Sequence, residues 1–474
     1  MGNTKNKVQR NNIWIYGYAF IAVALFYSYF YADFYETGLE GVRFWDILFA
    51  GNIRQFYKQI FLIGNMQYVP LYDFPMYIIF AIWNLPLWIV EKITSIDIFH
   101  SSLCLMWMKS LMLFFSFLFI KTFRSMLEEL GIGEDDRKTG ILMFFTSGFY
   151  VSGLVVLSQY DIISLTLTML GLTYYLRNDE KKFIIVFALV APFKYFGLLV
   201  FVPLLLLKEK RISRILLKMI LVMIPCLFFW IVFPYGRPEL VDGCVFSPSS
   251  SGTNVAKPVY MDLFDRGNIA FGILFLFIFG EIAFLFWCYM HEEKEVWKNG
   301  KLVMYCGFIA YFIQFTLAYS HPYWQLLMVP YVVALILLNK KYQYINIMLE
   351  TLMTAAFIFA QMFYFTWCFK AEIVSLSLWK HVVTPGSGSG DSVVTLLRNY
   401  IADARLQNYA VGIGLSVYTA LVLIFAILNW PFWKKDFAIT KKGEDIPFWL
   451  LPLRAGISLI IGVVPLVLYF YSWG

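Results

Sequence analysis

From Ile13 to the C-terminus the chain alternates long apolar runs with short polar breaks, and Lys and Arg collect in the breaks. Runs of about 18 residues or more predict transmembrane helices, because a helix carries such a stretch through lipid with its backbone polar groups satisfied. The fold class expected is all-α, a polytopic integral membrane protein. Basic breaks at Lys5–Arg10, Lys121–Lys138, Arg177–Lys182, Lys208–Lys218, His291–Lys301, Lys340–Lys341 and Lys434–Lys442 are assigned to the cytoplasm by the positive-inside rule. Between Lys138 and Arg177 lie 38 residues, room for two short crossings with "SQYD" (158–161) as a tight turn on the opposite side. The stretch 183–207 also has basic residues at both ends and reads as a hairpin of two short helices with "APFKYF", and so Lys194, at its apex. Further spans at 219–235, 270–290, 302–320, 324–339, 345–367, 410–432 and 448–472 bring the count to 13 crossings, with the N-terminus cytoplasmic and the C-terminus outside.

One apolar segment breaks this alternation. Counting "FPMYIIFAIWNLPLWIVE" (74–91) as a crossing puts every later basic loop on the wrong side, and its two prolines and Asn84 make a poor straight helix. It is read as a juxtamembrane or half-inserted helix within a long first extracytoplasmic loop, 33–99. Two more long loops fall on that side. The first, 236–269, is rich in Pro, Gly and Ser, and the second, 371–409, carries "TPGSGSGDS" before a helical "VVTLLRNYIADAR". Each is placed either to order over a substrate or to stay passive. No repeat of fixed period and no segment able to fold as a soluble domain interrupts a single transmembrane unit, 1–474. The first run, aromatic from Tyr16 to Phe30 and followed by no small-x-small site, is read as a retained signal anchor.

Composition sharpens this picture. The 474 residues are 60% hydrophobic, 20% aromatic and 15% charged, more apolar and less charged than a soluble domain. The net charge of +7 resides largely in inter-helix loops, so it speaks for orientation and not for a nucleic-acid partner. The six cysteines, Cys104, Cys226, Cys244, Cys288, Cys306 and Cys368, form no CxxC pair and have no His at metal-ligand spacing. Most read as helix-packing residues, while Cys244 and Cys368 fall on the extracytoplasmic side, where a disulfide between them is an option. Glycine-rich phosphate loops, GxSxG and HExxH are absent from the sequence. The energy for any reaction must then come from an activated substrate or a gradient.

Charged groups inside a membrane are costly, which makes them candidates for function. Lys109 falls mid-span, Glu281 and Glu350 fall within predicted spans, and Arg454 lies near enough to a helix end to snorkel. The two glutamates read first as bundle-facing carboxylates bonded to a neighbouring helix, and Lys194 is weighed as a phosphate-binding cation. The extracytoplasmic side gathers a denser set: Asp33, Glu36, Glu40 and Asp46 after the first span, Asp161 in "SQYD", Arg237 and Arg266, and "SHPYWQ" at 320–325. Carboxylates act as bases or orient a metal, while Lys, Arg and His hold phosphate. Tyr31, Phe34, Tyr35, Phe44 and Trp45 suit either sugar stacking or an interfacial aromatic belt. A belt alone leaves the four acids unexplained.

Several segments occur in order between residues 13 and 340: "YADFYE" after the first span, "FWDILFAGNIRQFY", "YVPLYDFPMYIIF", "SQYDIISLTLTMLGLTYYLR", "FKYFGLLVFVPLLLLKEKR" and "SHPYWQLLMVP". Together they resemble the GT-C superfamily of membrane glycosyltransferases, which take a sugar from a polyprenyl-phosphate donor. The chain departs from that pattern at Ser158, where Gly is usual, and the first-loop acid matches Asp33, Glu36 or, by spacing to Trp45, Glu40.

The resemblance implies a GT-C-like fold in the plasma membrane, an extracytoplasmic active site and sugar transfer with inversion. Asp33 is the first choice for the general base, Glu36 the second and Glu40 the third. Asp161 is implied to orient the acceptor or a divalent cation such as Mg or Mn, which the mechanism allows but does not require; no metal ligands are assigned. Lys194, His321 and Arg237 are implied to stabilise the leaving phosphate, with Gln159, Tyr323, Gln325 and Arg266 completing the substrate-binding groups. The implied partners are a polyprenyl-phosphate-linked sugar, an extracytoplasmic glycan or glycolipid acceptor such as a cell-wall polysaccharide or teichoic acid, and membrane lipid, with no nucleic acid. A transporter or flippase of lipid-linked sugars is the alternative, against which stands the lack of two related halves in the sequence.

Overall fold

A computed structural model describes residues 13–30, 32–63, 72–98, 101–233, 273–317, 320–364, 399–433 and 446–473. These residues form helices and turns, with no β-strand among them. In chain order the main helices are α1 (Ile13–Ser28), α2 (Ala32–Phe49), α3 (Phe56–Ile63), α4 (Phe74–Thr94), α5 (Ser102–Glu129) and α6 (Glu134–Phe145). A one-turn helix and a π-helix, Val151–Val156, lead to α7 (Asp161–Leu176), α8 (Glu180–Val190), α9 (Phe196–Lys208) and α10 (Ile212–Val232). Then follow α11 (Ile273–Met290), α12 (Gly300–Leu317), a 3₁₀ stretch at Pro322–Met328, α13 (Val329–Leu338), α14 (Gln343–Tyr364), α15 (Gln407–Leu428) and α16 (Leu450–Trp473).

Among the described residues seven helical stretches are long and apolar enough to cross a membrane: Phe74–Thr94, Ser102–Glu129, Ile212–Val232, Gly300–Leu317, Lys340–Tyr364, Gln407–Leu428 and Leu450–Val467. The pair Glu134–Phe145 and Gly148–Val156, bent by 45°, meets the same test as a broken span. This architecture is compatible with a multi-pass membrane protein. The hairpin expected at 183–207 is present as α8 and α9, with Lys194 in the turn between them.

Segment 74–91 is not the poor helix its prolines suggest. It belongs to the unbroken helix α4, because Pro75 falls in the first turn, where no N–H is needed, and the helix continues through Pro86. Asn84 is buried and donates from Nδ2 to the Gly38 carbonyl at 3.3 Å, while its Oδ1 has no partner among the described residues. At Gly41 a Cβ would come within 2.9 Å of the Phe80 carbonyl carbon, so the close approach of α2 to α4 requires glycine there. Around this contact Phe44, Ile47, Phe56, Tyr57, Ile60, Phe74, Tyr77 and Ala81 form a small core separate from that of the main bundle.

Three further expectations change. Arg43 donates to both carboxylate oxygens of Glu91 at 2.7 Å and to Asp46 at 3.1 Å, and Asp46 also meets Lys92 at 2.8 Å and Trp88 Nε1 at 2.9 Å. Asp46 is thus a bracing residue between α2 and α4. Phe34, Tyr35 and Phe44 are buried in core packing, and Trp45 donates to the Ala81 carbonyl at 2.9 Å, so these aromatics pack the helices. Arg454 does not snorkel. It is 2% exposed and pairs at 2.7 Å with Glu350, itself 2% exposed, which also accepts from Ser147 at 2.6 Å. The Glu350 carboxylate accepts from Arg454 Nε and the Thr146 hydroxyl from Nη1, which offsets part of the cost of burying the guanidinium, while Nη2 has no partner among the described residues.

Candidate functional site

The chain leaves α1 at Ser28, turns, and enters α2 with Asp33 in its first turn. Spacings of three and four put Asp33, Glu36, Thr37 and Glu40 on one face of α2. That face meets the turn 157–160. There Gln159 donates from Nε2 to Asp33 Oδ2 at 3.3 Å, and the Tyr160 hydroxyl lies 3.4 Å from Thr37 Oγ1. The turn is tight because Ser158 adopts φ 54, a left-handed conformation that costs glycine least.

Immediately beyond the turn, Asp161 begins α7, and Lys194 reaches over from the α8–α9 turn to form an ion pair with it. The Asp161 side chain is 0% exposed and that of Lys194 is 12% exposed. The ammonium stands 6.0, 5.7 and 5.9 Å from the ring centres of Tyr72, Phe196 and Tyr323, at the edge of cation–π range. His321 stacks on Tyr323 with centroids 5.2 Å apart and meets Trp324 edge-on at 4.6 Å. Tyr72 closes the ring of aromatics against Tyr160 at 4.8 Å.

Burial pushes the Asp33 carboxyl up to about 6, although the Gln159 hydrogen bond and the Lys194 charge pull the other way. Burial and the neighbouring Asp33 push Glu36 up to about 7. Glu40, buried among the same acids, lies well above the ordinary carboxylate range, with burial the largest cause, then Glu36 and Asp33, and with Tyr77 opposing. All three carboxyls on this face of α2 are thus held above the ordinary carboxylate range, with burial the largest cause in each.

Three buried acceptors in this cluster, Glu40 Oε1, Gln159 Oε1 and Asp161 Oδ2, have no hydrogen-bond partner among the described residues. Buried oxygens of this kind suit a ligand bearing hydroxyl groups. No group of three His, Cys, Asp or Glu side chains is arranged to hold a metal ion among the described residues. The donor set thus does not fit a protein-only cation site.

The structure brings together Asp33, Glu36, Glu40, Gln159, Asp161 and Lys194, with His321 and Tyr323 alongside. Gln325 is buried, and its amide donates to Ser320 Oγ at 3.4 Å and accepts from the Tyr418 hydroxyl at 2.9 Å, so it braces the segment carrying His321. Arg237 and Arg266 lie outside the described residues, as do Cys244, Cys368, the 236–269 loop and most of 371–409. Sequence reasoning missed Asp73, which accepts from the Tyr195 hydroxyl and, at 3.2 Å, from Trp230 Nε1. Its only signal was its place beside the aromatic-proline segment. No family model, curated protein or solved structure matches the chain.

Proposed function

We propose that this chain is an inverting glycosyltransferase of the GT-C type, moving a sugar from a polyprenyl-phosphate donor to an extracytoplasmic acceptor such as a cell-wall polysaccharide or teichoic acid. What supports this is the meeting of Asp33 and Gln159 beside the Lys194–Asp161 ion pair, in a cluster that leaves buried acceptors for hydroxyl groups. The acceptor hydroxyl attacks the anomeric carbon from the face opposite the phosphate. As the new C–O bond forms, the anomeric bond to the phosphate oxygen breaks and its electron pair leaves with the lipid phosphate. Asp33 takes the hydroxyl proton, a task suited to a carboxyl raised to about 6. Lys194, with His321 and Arg237, offsets the charge growing on the phosphate, and Asp161 orients both Lys194 and the acceptor. In this reading the chain crosses 13 times from a cytoplasmic N-terminus, the cluster faces the outer side of the plasma membrane, and α4, although long and apolar enough to cross, lies against that face.

Transfer of labelled sugar from a panel of polyprenyl-phosphate sugars by the purified protein in liposomes is the test. Asp33→Asn is expected to remove turnover while the protein stays folded, and Lys194→Ala to weaken donor binding first. Absence of turnover with every donor, together with protein-dependent movement of lipid-linked sugar between leaflets, overturns the proposal in favour of a flippase.

A further inference from the structure

Lys109 lies in α5, fully buried, and donates to the backbone carbonyls of Phe26, of Tyr29 and, at 3.2 Å, of Val155. Three carbonyls use all three N–H donors of an ammonium. The acceptors sit at the C-terminal ends of two segments, α1 and the π-helix 151–156, where unpaired carbonyls and the helix dipole favour a cation. The Phe26 and Phe30 ring centres, 4.2 and 5.2 Å from Nζ, add cation–π attraction. Ser158 Oγ donates to the same Tyr29 carbonyl at 3.3 Å, so the two segments are tied a second time. Both run directly into the site, since Asp33 comes four residues after Tyr29 and Gln159 four residues after Val155.

We infer that Lys109 is a positioning residue that sets Asp33 against Gln159 by clamping the ends of α1 and of the π-helix to α5. It touches neither side chain. Its influence passes through two stretches of backbone, from Tyr29 to Asp33 and from Val155 to Gln159. The kinetic consequence rests on the proposed transferase activity, whereas the structural consequence does not.

Hydrogen–deuterium exchange on the full chain in nanodiscs compares wild type with Lys109→Met and Lys109→Gln. Three buried carbonyls lose a donor in the Met variant, so protection in 29–37 and 155–161 is expected to fall about tenfold or more. The Gln variant keeps two donors and falls less, while α12 to α15 exchange as in wild type. In the transfer assay kcat falls in the same order, with the donor KM moving by no more than about twofold, the pattern of a transition-state geometry lost without loss of binding. Unchanged protection in the two segments, or a rise in exchange spread evenly over all helices, overturns the inference. Should Lys109→Met fail to fold, wild-type protection in Lys109→Gln overturns it equally. If the local exchange pattern appears but wild type never transfers sugar, the clamp stands and the transferase proposal falls.

Discussion

Lys194 and Tyr195 are neighbours in sequence and bond to different carboxylates, Lys194 to Asp161 at the head of α7 and Tyr195 to Asp73 at the head of α4. One turn thus links the bundle to the helix pair α2–α4. The two bonds differ in kind, since the first joins charges at a buried aspartate and the second lies at the surface. Lys194→Met leaves Asp161 buried without its cation and is expected to cost about 3 kcal/mol or more. Tyr195→Phe removes one hydrogen bond and is expected to cost about 1 kcal/mol. Thermal melts of both variants in one detergent check this, and equal losses count against the unequal roles.

A base with a folded-state value of about 6 gives kcat/KM an acidic limb, with activity falling as pH drops through that value. Gln159 and Lys194 both favour the ionised form of Asp33. Removing either raises the carboxyl further, so in Gln159→Leu the limb moves to higher pH. A pH series on wild type and this variant reads the direction, and a shift to lower pH excludes Asp33 as the group observed.

Glu36 carries a stability signature. Its carboxyl moves from an ordinary 4.5 to about 7 on folding, so its contribution is fully present below about 4.5 and is lost as pH rises through about 7. Glu36→Gln cannot ionise and removes that decline. The variant is expected to melt above wild type at pH 8, with the difference shrinking toward pH 5. The same melts on Asp46→Asn run the other way in sign, because Asp46 is held below its ordinary range by Lys92, Trp88 and Arg43 despite some burial.

Buried at 2% exposure each, Glu350 and Arg454 form a pair in which either residue alone is a liability. Glu350→Gln or Arg454→Met is expected to destabilise by about 3 to 5 kcal/mol, and the double variant by less than the sum. A double-mutant cycle by thermal or denaturant unfolding measures the coupling. Additive losses mean that the two side chains do not act as a pair.

Most helices were legible because apolar runs and basic breaks mark them directly, and the α8–α9 hairpin followed from charge at both its ends. In α4 the two prolines act less than their presence suggests: Pro75 falls in the first turn, where it breaks nothing, and the helix continues through Pro86. Within the site, residue types were sufficient to nominate Asp33, Asp161 and Lys194, and the departure at Ser158 from an expected glycine coincides with a left-handed backbone. Other relationships leave no such trace. The partners of Lys109 are backbone carbonyls, which no residue type announces, and Glu350 finds Arg454 from 104 positions away. The ranking of three acids on one helix face depends on burial, which a sequence of alternating acids and aromatics does not resolve.

The helices α7 and α9, which meet the Lys194 turn, are 16 and 13 residues long. At 1.5 Å per residue they rise only about 24 and about 20 Å, against a hydrocarbon layer of about 30 Å. Neither reaches across that layer alone, and 13 of the 16 residues of α7 are buried, so protein rather than lipid surrounds it. If the proposed transferase draws its donor from the bilayer, membrane thickness becomes a parameter of the chemistry, and turnover in vesicles of graded acyl-chain length is expected to fall as the chains lengthen.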